Sequence, residues 1–237
     1  MQLLARALSA AVLLCAGTAY ADNIPVYEAT GFTLTRNELD PVVNISVLSE
    51  APGSTTFWLE GMEPNLIAST DSSYQQYSYD YKSFDAYYGL AVKAGYRITS
   101  ITVNGNFAGE LYPAQWTMPG DANNAMNFSV NAGGGYFDNA SATDLHGLQE
   151  FKVTTGPMAL EGETVVALHG SVDVGAESVF YYDEISGEQY WLGSQAAGNL
   201  NWLRMTVNVS PVPEPGTWAM LTVGLAGLAA ARRYRRR

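Results

Sequence analysis

The chain has 237 residues, 47% of them hydrophobic, and carries 12 Lys and Arg against 23 Asp and Glu, a formal charge of −11 at pH 7. That length suits one sizeable core, and the acidity argues against a nucleic-acid partner, whose phosphates need basic patches. A single cysteine, Cys15, rules out an internal disulfide framework.

In chain order, residues 1–21 read as a secretory signal peptide. Arg6 supplies the basic start, Ala7 to Ala16 the apolar stretch, and Ala19-Tyr20-Ala21 the small-x-small cleavage site before Asp22. Cleavage is expected after Ala21. A lipoprotein would need a small residue before Cys15, where Leu14 stands. The mature protein then has no cysteine and relies on its core.

Residues 22–210 read as a single β domain. Val43, Ile45 and Val47 alternate with Asn44 and Ser46, and Met126, Phe128 and Val130 alternate with Asn127 and Ser129. Val166, Leu168, Val172 and Val174 share a face with Gly170, and Leu203, Met205, Val207 and Val209 alternate with Arg204, Thr206 and Asn208. A period of two marks strands with one buried and one wet face. Asn104-Gly105 reads as a hairpin turn, and the slipped phase between Ile98 and Ile101 predicts a bulge near Thr99-Ser100. The expected fold is an all-β antiparallel sandwich, jelly-roll or Ig-like, with a barrel as the alternative. Residues 71–88 and 119–144 are looser and read as hairpins with long connections or as edge loops.

Chemistry is sparse. His169 falls on the polar face of its strand with Val165, Ala167, Ser171 and Asp173; His146 follows Asp144-Leu145 in a loop. Zinc needs three or four ligands at defined spacing, so no metal site is assigned. Clustered carboxylates could hold Ca²⁺, but the simpler reading is a solvated acidic surface, with no cofactor. There is no Gly-x-Ser-x-Gly elbow. Acid pairs such as Glu161/Glu163 and Asp183/Glu184 do not by spacing define a glycosidase cleft. No catalytic residue is assigned, and the chain is expected not to be an enzyme.

Aromatics are more pointed. Tyr77, Tyr79 and Tyr81 fall on one face of a strand, with Ser78, Asp80 and Lys82 on the other; Tyr87-Tyr88, Tyr181-Tyr182 and Tyr190-Trp191 add to the set. Such rings either pack a core or stack on sugars, so Tyr77, Tyr79 and Tyr81 are candidate glycan-binding residues.

The tail, 211–237, contains Val212-Pro213-Glu214-Pro215, an apolar run over 217–231, and Arg232, Arg233, Arg235, Arg236 and Arg237 around Tyr234. From Trp218 to Ala231 the run spans roughly 21 Å as a helix, short for a bilayer core of roughly 30 Å. The arginines would hold the C-terminus inside, and the prolines keep the motif extended. This arrangement resembles a PEP-CTERM sorting signal, found in Gram-negative bacteria on substrates of exosortase, a membrane transpeptidase-like enzyme. The resemblance implies export, a transient anchor in the inner membrane, processing around Val212 to Pro215, and arrival at the cell surface or extracellular matrix.

Loss of both ends leaves six basic residues, Arg36, Lys82, Lys93, Arg97, Lys152 and Arg204, against 22 acidic ones in 22–212, a net charge of −16. Three roles follow as expectations. The first is a structural or adhesive surface protein linked to exopolysaccharide or biofilm. The others are a carbohydrate-binding module using exposed tyrosines, and a secreted glycan hydrolase.

Overall fold

The computed structural model describes residues 23–37, 44–115, 119–133, 135–212, 220, 222–226 and 232. The signal peptide with Ala19 and Ala21, the residues Pro213, Glu214 and Pro215, and Arg233, Arg235, Arg236 and Arg237 lie outside them.

The strands, numbered in chain order, form two antiparallel sheets and a separate hairpin. The first sheet runs β1 (Asn23–Glu28), β2 (Phe32–Asn37), β6 (Tyr77–Val92), β11 (Glu163–Glu177), β8 (Asp121–Ala132) and β9 (Tyr136–Thr143). The second runs β10 (Gly147–Thr155), β7 (Tyr96–Tyr112), β14 (Gln195–Pro211), β4 (Ser54–Leu59) and β3 (Ile45–Ala51). Strand β5 (Ile67–Asp71) also lies on β14, pairing its first half while β4 pairs its second. Strands β12 (Val179–Tyr182) and β13 (Gln189–Leu192) pair only with each other. The two main sheets stack as a sandwich with open edges rather than closing into a barrel.

The core follows from alternation. Val166, Leu168, Val172 and Val174 of β11 and Met126, Phe128 and Val130 of β8 point inward from one sheet. They meet Leu203, Met205 and Val207 of β14 from the other. Phe107 and Phe151 stack at 4.4 Å between centroids, and Phe128 lies 5.4 Å from Phe151. Burial of such side chains contributes ~1.5–3 kcal/mol each, and a cysteine-free domain rests on that sum.

Two sequence expectations hold in detail. Ile98 and Ile101 both point inward, and the register of β7 with β14 shifts where Asn208 faces Ser100 and Val209 faces Ile98. Thr99 is therefore the extra residue of the expected bulge. The period-two faces of β8, β11 and β14 also stand as read.

Three others need correction. Asn104-Gly105 is no turn but the middle of β7. Gly105 is there because a Cβ would come within 2.7 Å of both Leu203 and Phe151. Residues 71–88 and 119–144 are largely not loops. They contain most of β6 and all of β8 and β9, three of the six strands of the first sheet. Most of their Ser, Asn and Tyr face outward, with Ser72, Tyr88 and Asn124 as buried exceptions, and that polar outer face is what resembles a loop in composition. Lastly, Val47 on edge strand β3 is 38% exposed, next to a register shift between Val47 and Ser49, whereas Val43 lies outside the described residues.

Strand β14 runs through Pro211, and the Val212 N–H still donates to the Gly95 carbonyl at 2.8 Å. The sandwich thus extends one or two residues past 210, to the edge of the proline motif. Residues 222–226 are helical. Among the described residues, no helix is long and apolar enough to cross a membrane.

Candidate functional site

Strand β6 buries Phe84, Ala86, Tyr88 and Leu90. The period of two therefore turns Tyr77, Tyr79, Tyr81, Ser83, Asp85 and Tyr87 outward. The three candidate tyrosines are 47–55% exposed, and Tyr87 joins them at 47%. Tyr88, its sequence neighbour, is instead a core residue.

Antiparallel register places the rest of this face in rows across the sheet. Asp85 lies opposite His169, which lies opposite Ser129 and then Asn139. Tyr87 is followed by Ala167, Asn131 and Phe137. Tyr81 is followed by Asp173 and Ala125, and Tyr79 by Gly175 and Asn123. The result is a row of rings along β6 beside a strip of amide, hydroxyl, carboxylate and imidazole groups.

Several of these side chains are fixed. The Tyr79 hydroxyl donates to Asp173 Oδ2 at 2.8 Å, which raises the phenol above its ordinary value of 10.0. His169 Nδ1 and Asp85 Oδ1 are 2.8 Å apart. Gly175 lets Tyr77 and Asn123 lean in from either side. A Cβ there would stand 3.1 Å from the Tyr77 hydroxyl and 2.8 Å from Asn123 Oδ1. Ser129 is cross-strand from His169, and among the described residues no hydrogen bond joins them.

Other candidates fall elsewhere. His146 accepts from the Leu111 N–H at 3.2 Å through Nδ1 and sets its ring edge-on to Tyr112. It lines a depression with Glu110 on the second sheet, well away from His169 in the fold. Glu161 precedes β11, and Glu163 begins it. Asp183 closes the β12–β13 turn by accepting from the Ile185 N–H and the Ser186 hydroxyl, and these bonds hold its carboxyl below the ordinary range. Among the described residues, no three His, Cys, Asp or Glu side chains gather where they could hold a metal ion.

Sequence reading missed the outer face of the second sheet. Trp58 of β4 and Trp202 of β14 lie 5.6 Å apart, and the Arg204 guanidinium sits 5.5 and 5.9 Å from their ring centres. Trp202 is held at φ 59, a left-handed conformation that costs a bulky residue about 1–3 kcal/mol. It occupies a bulge between Asn201 and Arg204 that keeps Leu200 and Leu203 both inward and lifts Trp202 out. The signal was available: Leu200 and Leu203 are three apart, which breaks the period of two.

Comparisons with known proteins add the following. No curated protein is similar enough to this chain to count as a match. Among solved structures, the chain is similar to TmCBM61 in complex with beta-1,4-galactotriose, at 10% identity and a TM-score of 0.23, covering 78% of this chain and 91% of that one. It is also similar to the family 11 carbohydrate-binding module from Clostridium thermocellum in complex with a beta-1,3-1,4-mixed-linked tetrasaccharide. There the identity is 9% and the TM-score 0.18, over 71% of this chain and 97% of that one. An exo-beta-agarase matches at 10% identity and a TM-score of 0.18, over 82% of this chain and 26% of the enzyme. None of the three superposes closely enough to carry a residue or a ligand across. The tail is different: residues 211–237 match a family model, and the chain carries a PEP-CTERM protein-sorting motif there.

Proposed function

We propose that this is an exported glycan-binding protein whose tyrosine-lined first sheet docks on extracellular polysaccharide. The sorting motif implies an exported protein. On this reading an exosortase-like enzyme processes it during a transient stay in the inner membrane, and the sandwich then acts at the cell surface or in the matrix.

The observation that carries the reading is the exposure of Tyr77, Tyr79, Tyr81 and Tyr87 on one uncovered face. Rings two residues apart on a strand recur every ~6.8 Å, so an extended sugar chain laid along β6 meets several in succession. Each offers an apolar face to a pyranose and a hydroxyl to its rim. The Tyr79–Asp173 bond holds one ring before any ligand arrives, which lowers the ordering cost of binding. Asn123, Asn127, Ser129 and Asn131 line β8, one strand beyond β11, for hydroxyl recognition.

Affinity electrophoresis of the purified full-length chain in gels containing the cell's own exopolysaccharide tests the reading. The wild type should be retarded, and a Tyr79→Ala/Tyr81→Ala variant should migrate as in a sugar-free gel. Equal retardation of both would reject the tyrosine strip. The delivery step has its own test: alanines at Pro213, Glu214 and Pro215 should leave an unprocessed membrane form.

A structural or adhesive role is the second reading, favoured by the β12–β13 hairpin. It stands apart from both main sheets, with Phe180, Tyr182, Ile185, Tyr190 and Trp191 exposed. Serines at Phe180 and Trp191 should then reduce cell attachment without changing gel retardation.

A further inference from the structure

We propose that the Trp202–Arg204–Lys152 depression on the outer face of the second sheet binds a carboxylate-bearing sugar of an acidic polysaccharide. The site lies on the opposite side of the sandwich from the tyrosine strip and does not depend on it.

Four observations converge. The depression has a volume of about 660 Å³ and is lined by Trp202, Arg204, Lys152, Asn104, Asn106 and Glu150, among others. That falls in the usual range for small-ligand sites, roughly 300–1,000 Å³. Register puts Lys152, Asn104, Arg204 and Trp58 in one continuous row across four strands. Two of the six cations of 22–212 therefore share a row on a strongly acidic protein. Neither has a carboxylate within ion-pair distance among the described residues. Among the lining residues Glu150 offsets one positive charge and leaves an excess of one, while the nearby Glu63 carboxylate is engaged by the Leu203 N–H at 3.3 Å.

The chemistry follows from these groups. A guanidinium matches a carboxylate with two parallel N–H···O bonds. The Trp202 indole, backed by Trp58, supplies an apolar face for a pyranose, and the Asn104 and Asn106 amides can bond its hydroxyls. Trp202 keeps a conformation that favours glycine in order to stand at this rim, and such strain clusters at binding sites. The protein's overall negative charge opposes an acidic polymer only at long range. At physiological salt, screening acts over about 8 Å, so the local cation pair decides contact.

The test titrates the purified full-length chain with an oligogalacturonide, and with its methyl ester, the same sugar with each carboxylate masked. Binding is read by calorimetry. The acid should bind about tenfold or more tightly than the ester, and raising the salt from ~0.05 to ~0.5 M should weaken it. Arg204→Gln, an exposed change with a melting temperature to confirm folding, should cost about tenfold or more. The Tyr79→Ala/Tyr81→Ala variant should bind the acid undiminished, which separates this site from the tyrosine strip. Equal affinity for acid and ester, no binding of the acid, or full affinity in folded Arg204→Gln would each overturn the proposal.

Discussion

The Tyr79 hydroxyl donates a 2.8 Å hydrogen bond to Oδ2 of Asp173, tying β6 to β11 on the outer face of the first sheet. That bond is the main reason the phenol is raised above 10.0. A group raised in the folded state contributes stability below its ordinary pKa and loses it as the pH climbs through the raised value. Asp173→Ala should bring Tyr79 ionisation back toward the ordinary tyrosine range. Tyrosinate absorbance in an alkaline titration reads this, with Tyr79→Phe identifying the transition.

Asn124 is 2% exposed and fastens three separate parts of the chain. Its amide donates to the carbonyls of Leu145 at 2.8 Å and Ala197 at 3.2 Å, and its oxygen accepts from the Leu145 N–H at 2.8 Å. Asn124→Ala would strand those backbone groups in a closed space, at about 2–4 kcal/mol. For a domain of this size that lowers the melting temperature by roughly 5–15 °C, measurable by circular dichroism.

Gly105→Ala should be destabilising although it adds one methyl group. The new Cβ would press on Leu203 and Phe151 at 2.7 Å, inside the stacked phenylalanine cluster. Overpacking of this kind costs about 1–3 kcal/mol. Urea unfolding should show a lower midpoint at unchanged slope.

Trp202→Gly should behave unlike an ordinary tryptophan deletion. Removing a buried Trp costs about 3–5 kcal/mol, but Trp202 is 52% exposed and sits at φ 59. Relief of the backbone offsets the lost contacts with Trp58 and Arg204. Stability should stay within about 1 kcal/mol of the wild type, as read from urea midpoints.

Acid should destabilise the fold through four carboxylates. Glu50 is lowered first by its bond from Tyr27, Asp71 by Ser73, Asp80 by Lys82 and Asp183 by the Ile185 N–H. Groups lowered in the folded state stabilise it above their ordinary values of 4.5 and 3.8, and that contribution is lost as the pH falls through the lowered ones. Melting temperature should hold between pH 7 and about 5 and fall below about 4. Glu50→Gln should flatten part of that fall.

The inward faces of β8, β11 and β14 were readable because alternation is local: each apolar residue is two from the next. The bulge at Thr99 was readable for the same reason, as a slip in that count. The polar strands β6, β8 and β9 were partly hidden because their composition resembles loops; pairing with β11 makes strands of β6 and β8, and pairing with β8 makes one of β9. Tyr77, Tyr79 and Tyr81 could be placed on one face from spacing, but burial or exposure of that face depends on which sheet covers it. Trp202 and Arg204 are neighbours across the β14 bulge, but Trp58 lies far off in sequence, and only the pairing of β4 with β14 brings it to them.

By itself, the sequence determined the β class, the acidity and the sorting tail, because period, charge and motif are properties of short stretches of chain. Tertiary structure alone decided which aromatic rings meet water and which cations share a row. Those depend on strand order and register, where a shift of one residue turns every side chain to the other face.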